Sequence, residues 1–248
     1  MSSRAAAPVT AVIAAAGSGE RLGAGGPKAF VPLAGRPLVE WSITAMRAAV
    51  GVRSIVVASP PGHVHDLGGD LAVVDGGATR AQSVANALAG VDTELVAIHD
   101  AARPLVTPEL VESVVATLTA DPEADGAIAA TPVTDTIKRA ARSLVTDSGA
   151  YRAPNQSFEV EKTVDRGQLW AAQTPQVFRV EALRRALAAD PAQVEGATDE
   201  AMMVEAAGGR VLIHPAPPEN LKVTTPFDLR VAELMLANRD PGEPRATE

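Results

Sequence analysis

The chain has 248 residues, 46% of them hydrophobic, which is enough for one large α/β domain or at most two modest ones, with a packed core expected rather than disorder. A net charge of −8 and an aromatic content of 3% argue against binding to nucleic acid or to an anionic membrane. The absence of cysteine excludes disulfides, thiolate catalysis and cysteine-held metal.

The opening MSSRAAAPVTAVIAAAG has the outline of a signal peptide, with Arg4 ahead of alanines, but Pro8 and Thr10 interrupt it. Its apolar end runs straight into a glycine loop suited to chemistry. Cleavage there would destroy the site, so a cytoplasmic protein is expected. No apolar run approaches the roughly 18 residues of a membrane-spanning helix.

The run VTAVI at residues 9–13 predicts a buried first strand. It feeds AAAGSGERLGAGGPK, where Gly17, Gly19, Gly23, Gly25 and Gly26 let backbone N–H groups approach phosphates. Arg21 and Lys28 supply counter-charge in the same loop, which an acidic protein needs if its ligand is an anion. A flexible turn with two solvated charges is the plainer reading. Spacing separates the loop from two commoner ones. The dinucleotide fingerprint wants its third glycine one place before Gly23, and an acid ending the second strand, where this chain has Ser59-Pro60-Pro61. The triphosphatase loop wants Gly-Lys-Ser/Thr, but Lys28 lies between Pro27 and Ala29.

Further along, residues 37–50 predict a helix closed by Gly51, and 53–58 and 71–74 predict strands. His63 and His65, in the loop between those strands, lack further ligands and are read as solvated. A helix is expected over 80–88, a strand over 94–99, and a helix opened by Thr107-Pro108-Glu109 and ending near 120. Residues 127–130 form a further strand. This alternation predicts a mainly parallel sheet covered on both faces, with ligands at the carboxyl ends of its strands.

The pattern breaks between about 138 and 166, which reads as a β-hairpin arm ordered by a second subunit or else as a disordered insertion. The sheet resumes after Gln173-Thr174-Pro175-Gln176. Helices follow over 180–189 and 199–207, the second capped by Thr198, then a strand over 210–214 and a last helix from Thr225 to 237. The expected organisation is one domain over 7–237, with a dimerisation arm at about 138–164 and a flexible tail at 238–248.

The first loop is similar to the nucleotidyltransferase signature of an apolar strand, Ala-Ala-Gly-x-Gly-x-Arg, and Pro-Lys. Further segments make the likeness specific. They are Gly76-Gly-Ala-Thr-Arg80 with Ser83; His99-Asp-Ala-Ala-Arg-Pro104; Asp135-Thr-Ile-Lys138; and Thr163-Val-Asp-Arg166 leading to Gln173-Thr-Pro-Gln176. Thr198-Asp-Glu200 and Asn220-Leu-Lys-Val-Thr224 extend the match. In this order the chain resembles the 2-C-methyl-D-erythritol 4-phosphate cytidylyltransferase family of the non-mevalonate isoprenoid pathway. It departs at Ala14, where the family usually has proline, at Ala78, where aspartate is frequent, and in extra arm residues at about 149–159.

The resemblance implies a three-layer, mainly parallel, Rossmann-like nucleotidyltransferase sheet with a protruding β-arm, a homodimer, and Mg²⁺ carried on the phosphates of CTP with no protein metal site. It implies attack by the methylerythritol phosphate on CTP, releasing pyrophosphate. A phosphate monoester has a second pKa near ~6 and needs no general base at neutral pH. The work left to the protein is alignment and charge stabilisation. The family positions for that work are Arg21 and Lys28, joined by Arg166 and Lys222 against the second substrate's phosphate. Ala15, Ala16, Gly17, Gly19, Gly77 and Ser83 match positions around the cytosine and ribose. Asp100, just past the strand at the active edge of the sheet, reads as orienting the ribose or a metal-bound water, or else as a turn-stabilising aspartate. Arg103, Asp135, Thr136 and Thr174 are expected at the polyol phosphate, supported by Lys138. Ribitol 5-phosphate cytidylyltransferase shares the CTP loop and is the nearest alternative; a silent nucleotide-binding module is another.

Overall fold

A computed structural model describes residues 7–22, 26–63, 67, 71–141, 157–189, 194 and 196–238. The chain divides into two units, Met1–Ala130 with Ala172–Glu248, and Thr131–Ala171.

The β-branched runs become strands of a seven-stranded sheet: β1 (Val9–Ala14), β4 (Val52–Ser59), β5 (Ala72–Asp75), β6 (Leu95–Asp100), β7 (Gly126–Pro132), β10 (Trp170–Arg179) and β11 (Val211–Pro215), in the order β11-β7-β10-β6-β1-β4-β5. The strands β2 (Pro32–Leu33) and β3 (Arg36–Pro37) form a separate small ribbon. Parallel pairs join β1 to β4 and β6, β4 to β5, and β11 to β7; β10 runs antiparallel to β6.

Along β1, Ala11 and Ile13 belong to one apolar cluster and Val12 to another, so the strand is buried on both faces. The first cluster takes in α1 (Leu38–Ala48) and α3 (Pro108–Ala120). The second takes in α2 (Arg80–Leu88), α4 (Val180–Leu187) and α5 (Glu200–Ala206). A third cluster joins Leu22, Val31, Leu33, Leu38 and Leu105 to Val223 and to Ala232 of α6 (Pro226–Ala237).

Several local expectations need correction. The first helix stops at Ala48, because Ala49 is already extended; Gly51, at φ 95°, serves the turn into β4. Gln173-Thr174-Pro175-Gln176 is not a link ahead of the sheet but lies inside β10. Helix α5 is capped by Asp199, whose carboxylate accepts from the Met202 N–H, not by Thr198. The Thr107 and Thr225 caps form as expected, the second as a reciprocal box with Asp228.

In the smaller unit, β8 (Lys138–Ala140) pairs antiparallel with β9 (Val160–Thr163), with a bulge between Arg139 and Ala140. The expected turn of this hairpin, with Leu144, Val145, Asp147, Tyr151 and Pro154, lies outside the described residues, as do Gly23, Gly25, His65 and residues 239–248.

Candidate active site

Parallel pairing brings the ends of β1, β4, β5 and β6 to one edge, with Ala14 level with both Ala58 and Asp100, and Ser59 level with Asp75. The glycine loop leaves this edge. Ala15 N–H donates to the Ala58 carbonyl at 2.9 Å, and Lys28 N–H closes the loop on the Gly17 carbonyl at 3.2 Å. Gly19 sits at φ 73°, and a Cβ there would fall 2.8 Å from the Lys28 Cβ. Only glycine allows this crossing. A Cβ on Gly17, by contrast, would meet nothing within 4 Å, so its backbone faces open space.

Arg21 and Lys28 stand on two 3₁₀ turns, Glu20–Leu22 and Lys28–Phe30. Their neighbours Leu22 and Val31 enter the third apolar cluster beside Val223, the neighbour of Lys222. One packed cluster thus anchors the backbone on which all three cations ride. Burial, then nearby Lys222, pushes the Lys28 ammonium down to about 8, against the opposing pull of Asp100. Arg21 adds a smaller push in the same direction.

The second glycine loop packs against the first. A Cβ on Gly76 would fall 2.3 Å from the Ala16 Cβ, and one on Gly77 2.3 Å from the Gln82 side chain. Gly77 N–H donates to the Ser83 hydroxyl at 3.0 Å, and that hydroxyl donates to the Thr79 carbonyl at 2.9 Å. Ser83 therefore braces this loop, with one lone pair left over.

Asp100 is the electrostatic centre. Its Oδ1 accepts from Arg80 Nε at 3.2 Å and Nη2 at 3.0 Å, while Oδ2 pairs with Lys222 Nζ at 2.7 Å. Burial alone would raise its carboxyl, but Arg80 and Lys222 prevail and hold it well below the usual carboxylate range. Arg80 Nη1 also donates to Glu200, which is fully buried. Beneath Asp100, burial holds His99 neutral, with its pKa lowered to about 4. Its Nε2 donates to the Arg103 carbonyl at 3.2 Å, so Nδ1 accepts from the Thr174 hydroxyl at 3.0 Å, which in turn accepts from Asp100 N–H at 3.1 Å.

These groups bound an open cavity of about 180 Å³, lined among others by Arg80, Asp100, Arg103, Thr174, Thr198 and Lys222. Arg103, expected as a phosphate ligand, is buried and donates to the carbonyls of Asn220 at 2.7 Å and Ala172 at 3.3 Å. Asn220 donates to Gln173 Oε1 and the Thr174 carbonyl, both at 2.8 Å, and Val223 N–H to the Ala102 carbonyl at 2.8 Å. Lys222 is thus presented by a pinned segment.

The structure gathers Arg21, Lys28, Asp100 and Lys222 into one interacting set. Asp135, Thr136, Lys138 and Arg166 lie in the smaller unit, all exposed. There Arg166 donates to the Thr134 carbonyl and Lys138 Nζ to the Thr163 hydroxyl at 2.7 Å. His63 is half-buried rather than solvated, its ring 5.3 Å from that of Phe30. Arg80, Glu200, Asn220 and His99 escaped assignment although they stand in family-like segments. What sequence does show is polar residues at positions where strands and helices bury their neighbours.

A family model described as IspD, 2-C-methyl-D-erythritol 4-phosphate cytidylyltransferase, matches residues 9–238. A protein of that name from a Synechococcus species is 42% identical over 238 residues, covering 92% of this chain and 97% of its own length. One from Saccharopolyspora erythraea is 41% identical over 241 residues, covering 92% and 99%. The crystal structure of the Thermus thermophilus enzyme of that name aligns with TM-score 0.71 at 33% identity, covering 92% of this chain and 98% of that one.

Proposed function

The chain belongs to the 2-C-methyl-D-erythritol 4-phosphate cytidylyltransferase family, and from that premise we propose how its residues divide the reaction between them. The enzyme transfers a cytidylyl group from CTP to 2-C-methyl-D-erythritol 4-phosphate, releasing pyrophosphate, in isoprenoid precursor biosynthesis. The observation that carries the assignment is the set of Arg21, Lys28 and Lys222 around Asp100 at the carboxyl edge of the sheet. Parallel α/β sheets bind ligands at that edge.

In this reading the open backbone at Gly17, with Ala15, Ala16 and Gly77, receives CTP, and Lys28 and Arg21 face its phosphates. Lys28 is a point charge suited to the α-phosphate, and Arg21 presents a fork. Both act as negative charge builds on the α-phosphate and the departing pyrophosphate. The substrate phosphate attacks in line, and Lys222 shields the repulsion between the two anions. The donor set suits a magnesium ion carried by the triphosphate, because both Asp100 oxygens already accept from cations. Bound there, magnesium would neutralise phosphate charge; orientation of the reacting groups falls to Lys28, Arg21 and the loop N–H groups. Pyrophosphate release from CTP, measured in parallel with methylerythritol phosphate and ribitol phosphate, tests the reading. Turnover with ribitol phosphate alone would sink it.

The same reading makes residues 7–237 one cytidylyltransferase domain that dimerises through its arm, carrying Thr136 and Arg166 to the neighbour's site. Support comes from apolar side chains left exposed in the smaller unit, Val160 at 54% and Trp170 at 36%. Mixing Lys28→Ala with Arg166→Ala restores activity if the sites are shared, since each mixed dimer then holds one intact site. No recovery after verified subunit exchange excludes sharing. Since the reaction consumes CTP, the cytoplasm is the proposed compartment, and cell fractionation tests it.

A further inference from the structure

Arg80 and Glu200 are given no role in the proposed transfer, yet they form the most deeply buried ion pair among the described residues. Glu200 is fully buried; one carboxylate oxygen pairs with Arg80 Nη1, and the other, Oε1, has no hydrogen-bond partner there. A buried ion pair is a poor device for stability alone, since apolar residues of equal volume serve as well or better. Its place is more telling. Arg80 opens α2 and Glu200 opens α5, and the guanidinium between them grips Asp100 Oδ1 with two further N–H groups. The groups run Glu200, Arg80, Asp100, Lys222, alternating in sign and summing to zero. Three of them line the cavity, and Glu200 lies behind.

We propose that Glu200 and Arg80 are a positioning pair. Glu200 commits the guanidinium to Asp100 and keeps it off the substrate phosphate. Asp100 Oδ1 is thereby fixed, and Oδ2 is left to hold Lys222 in the cavity. Without the Glu200 charge the row carries a net positive charge, and Arg80 gains free N–H groups inside a cavity. An arginine fork in that state is a phosphate site. The pair therefore keeps a second cation from competing with Lys222 for the substrate's phosphate in this cavity. The inference rests on the proposed function, which sets Lys222 between the two anions, and it adds the Lys222 partner Asp100 to the same pocket.

Steady-state kinetics of Glu200→Gln test it. The KM for methylerythritol phosphate should rise about tenfold, the scale of one charge-assisted hydrogen bond, with the KM for CTP unchanged. Inhibition by inorganic phosphate should become stronger, which mere loosening of the fold would not cause. Arg80→Lys keeps the charge but loses the fork, so it should raise the same KM without stronger phosphate inhibition; it also serves if Glu200→Gln does not fold. The double variant Arg80→Gln/Glu200→Gln should be no worse than Arg80→Gln alone, because Glu200 acts through Arg80. Equal changes in both KM values, unaltered phosphate inhibition in Glu200→Gln, or losses that multiply in the double variant would overturn the proposal. Were Asp100→Asn and Lys222→Ala to leave the KM for methylerythritol phosphate unchanged, the pocket assignment itself would fall, and the pair with it.

Discussion

The glycine loop and the end of β6 both carry cations, but they hold them in opposite ways. Among the described residues, neither Arg21 nor Lys28 has an ion-pair partner, and Lys28 is pushed towards neutrality by burial and by Lys222. At β6, Arg80 is clasped by two carboxylates and Lys222 by one. A charge left without a partner destabilises the empty protein and is available to a ligand. A charge with partners fixes the geometry around it. On the proposed function, the two regions separate the tasks of pulling on the substrate and of holding the frame.

The largest effect should come from Lys28→Ala. Turnover should fall by roughly 10²–10³, as when one charge-stabilising donor is removed from an active site, with a much smaller change in the CTP requirement. Steady-state kinetics decide this. Unchanged turnover with only a raised KM for CTP would place Lys28 among the binding residues and blur the contrast.

Stability should move in opposite directions in the two regions. Asp100→Asn leaves Arg80 and Lys222 facing a neutral amide, and breaking such a buried pair costs about 3 kcal/mol. Lys28→Met removes a cation that the empty site disfavours, and should stabilise the unliganded protein by about 1 kcal/mol once the pKa shift is discounted for solvent screening. Denaturant unfolding of both variants checks the pair of signs. A loss of stability in Lys28→Met would break the comparison.

The smallest effect concerns protons. Lys28 in the folded protein has a pKa of about 8, below its ordinary value of 10.5. The unfolded chain therefore binds more protons than the folded one across that window. Stability of the empty protein should rise with pH from about 8 towards 10.5, by the Lys28 contribution, and not below it. CTP brings negative charge that restores the ammonium, so binding should take up protons above pH 8 and none from Lys28 near pH 6.5. Calorimetry in buffers of different ionisation enthalpy measures the uptake, and Lys28→Met should abolish it.

Much of the frame was legible because it depends on local rules. β-Branched runs bounded by glycine and proline became strands, and Thr107 and Thr225 announced their helices by side chains that satisfy free N–H groups. Strand β10 was harder to see. Pro175 lies inside it, and proline speaks against a strand in any sequence reading. Asp199 displaced Thr198 as a cap because both are good caps and only the chain's exit angle chooses between them. Of the site, Arg21, Lys28, Asp100 and Lys222 were visible as charges in motifs. The partners of Arg103 and Arg80 were not, since a sequence states which donors exist and not which acceptors they meet. Arg103 turned inward to two carbonyls, and Arg80 to two carboxylates.

The third apolar cluster has a consequence for how the enzyme comes into being. The loop bearing Arg21 and Lys28 is made long before Val223 and Ala232, which pack against Leu22 and Val31. Contacts so distant in sequence form late and slowly. During synthesis the loop therefore leaves the ribosome well before its anchors, and Arg21 and Lys28 acquire fixed positions only when α6 has emerged and docked. A nascent or prematurely terminated chain lacking α6 carries every residue of the glycine loop and still lacks part of the packing that holds Leu22 and Val31.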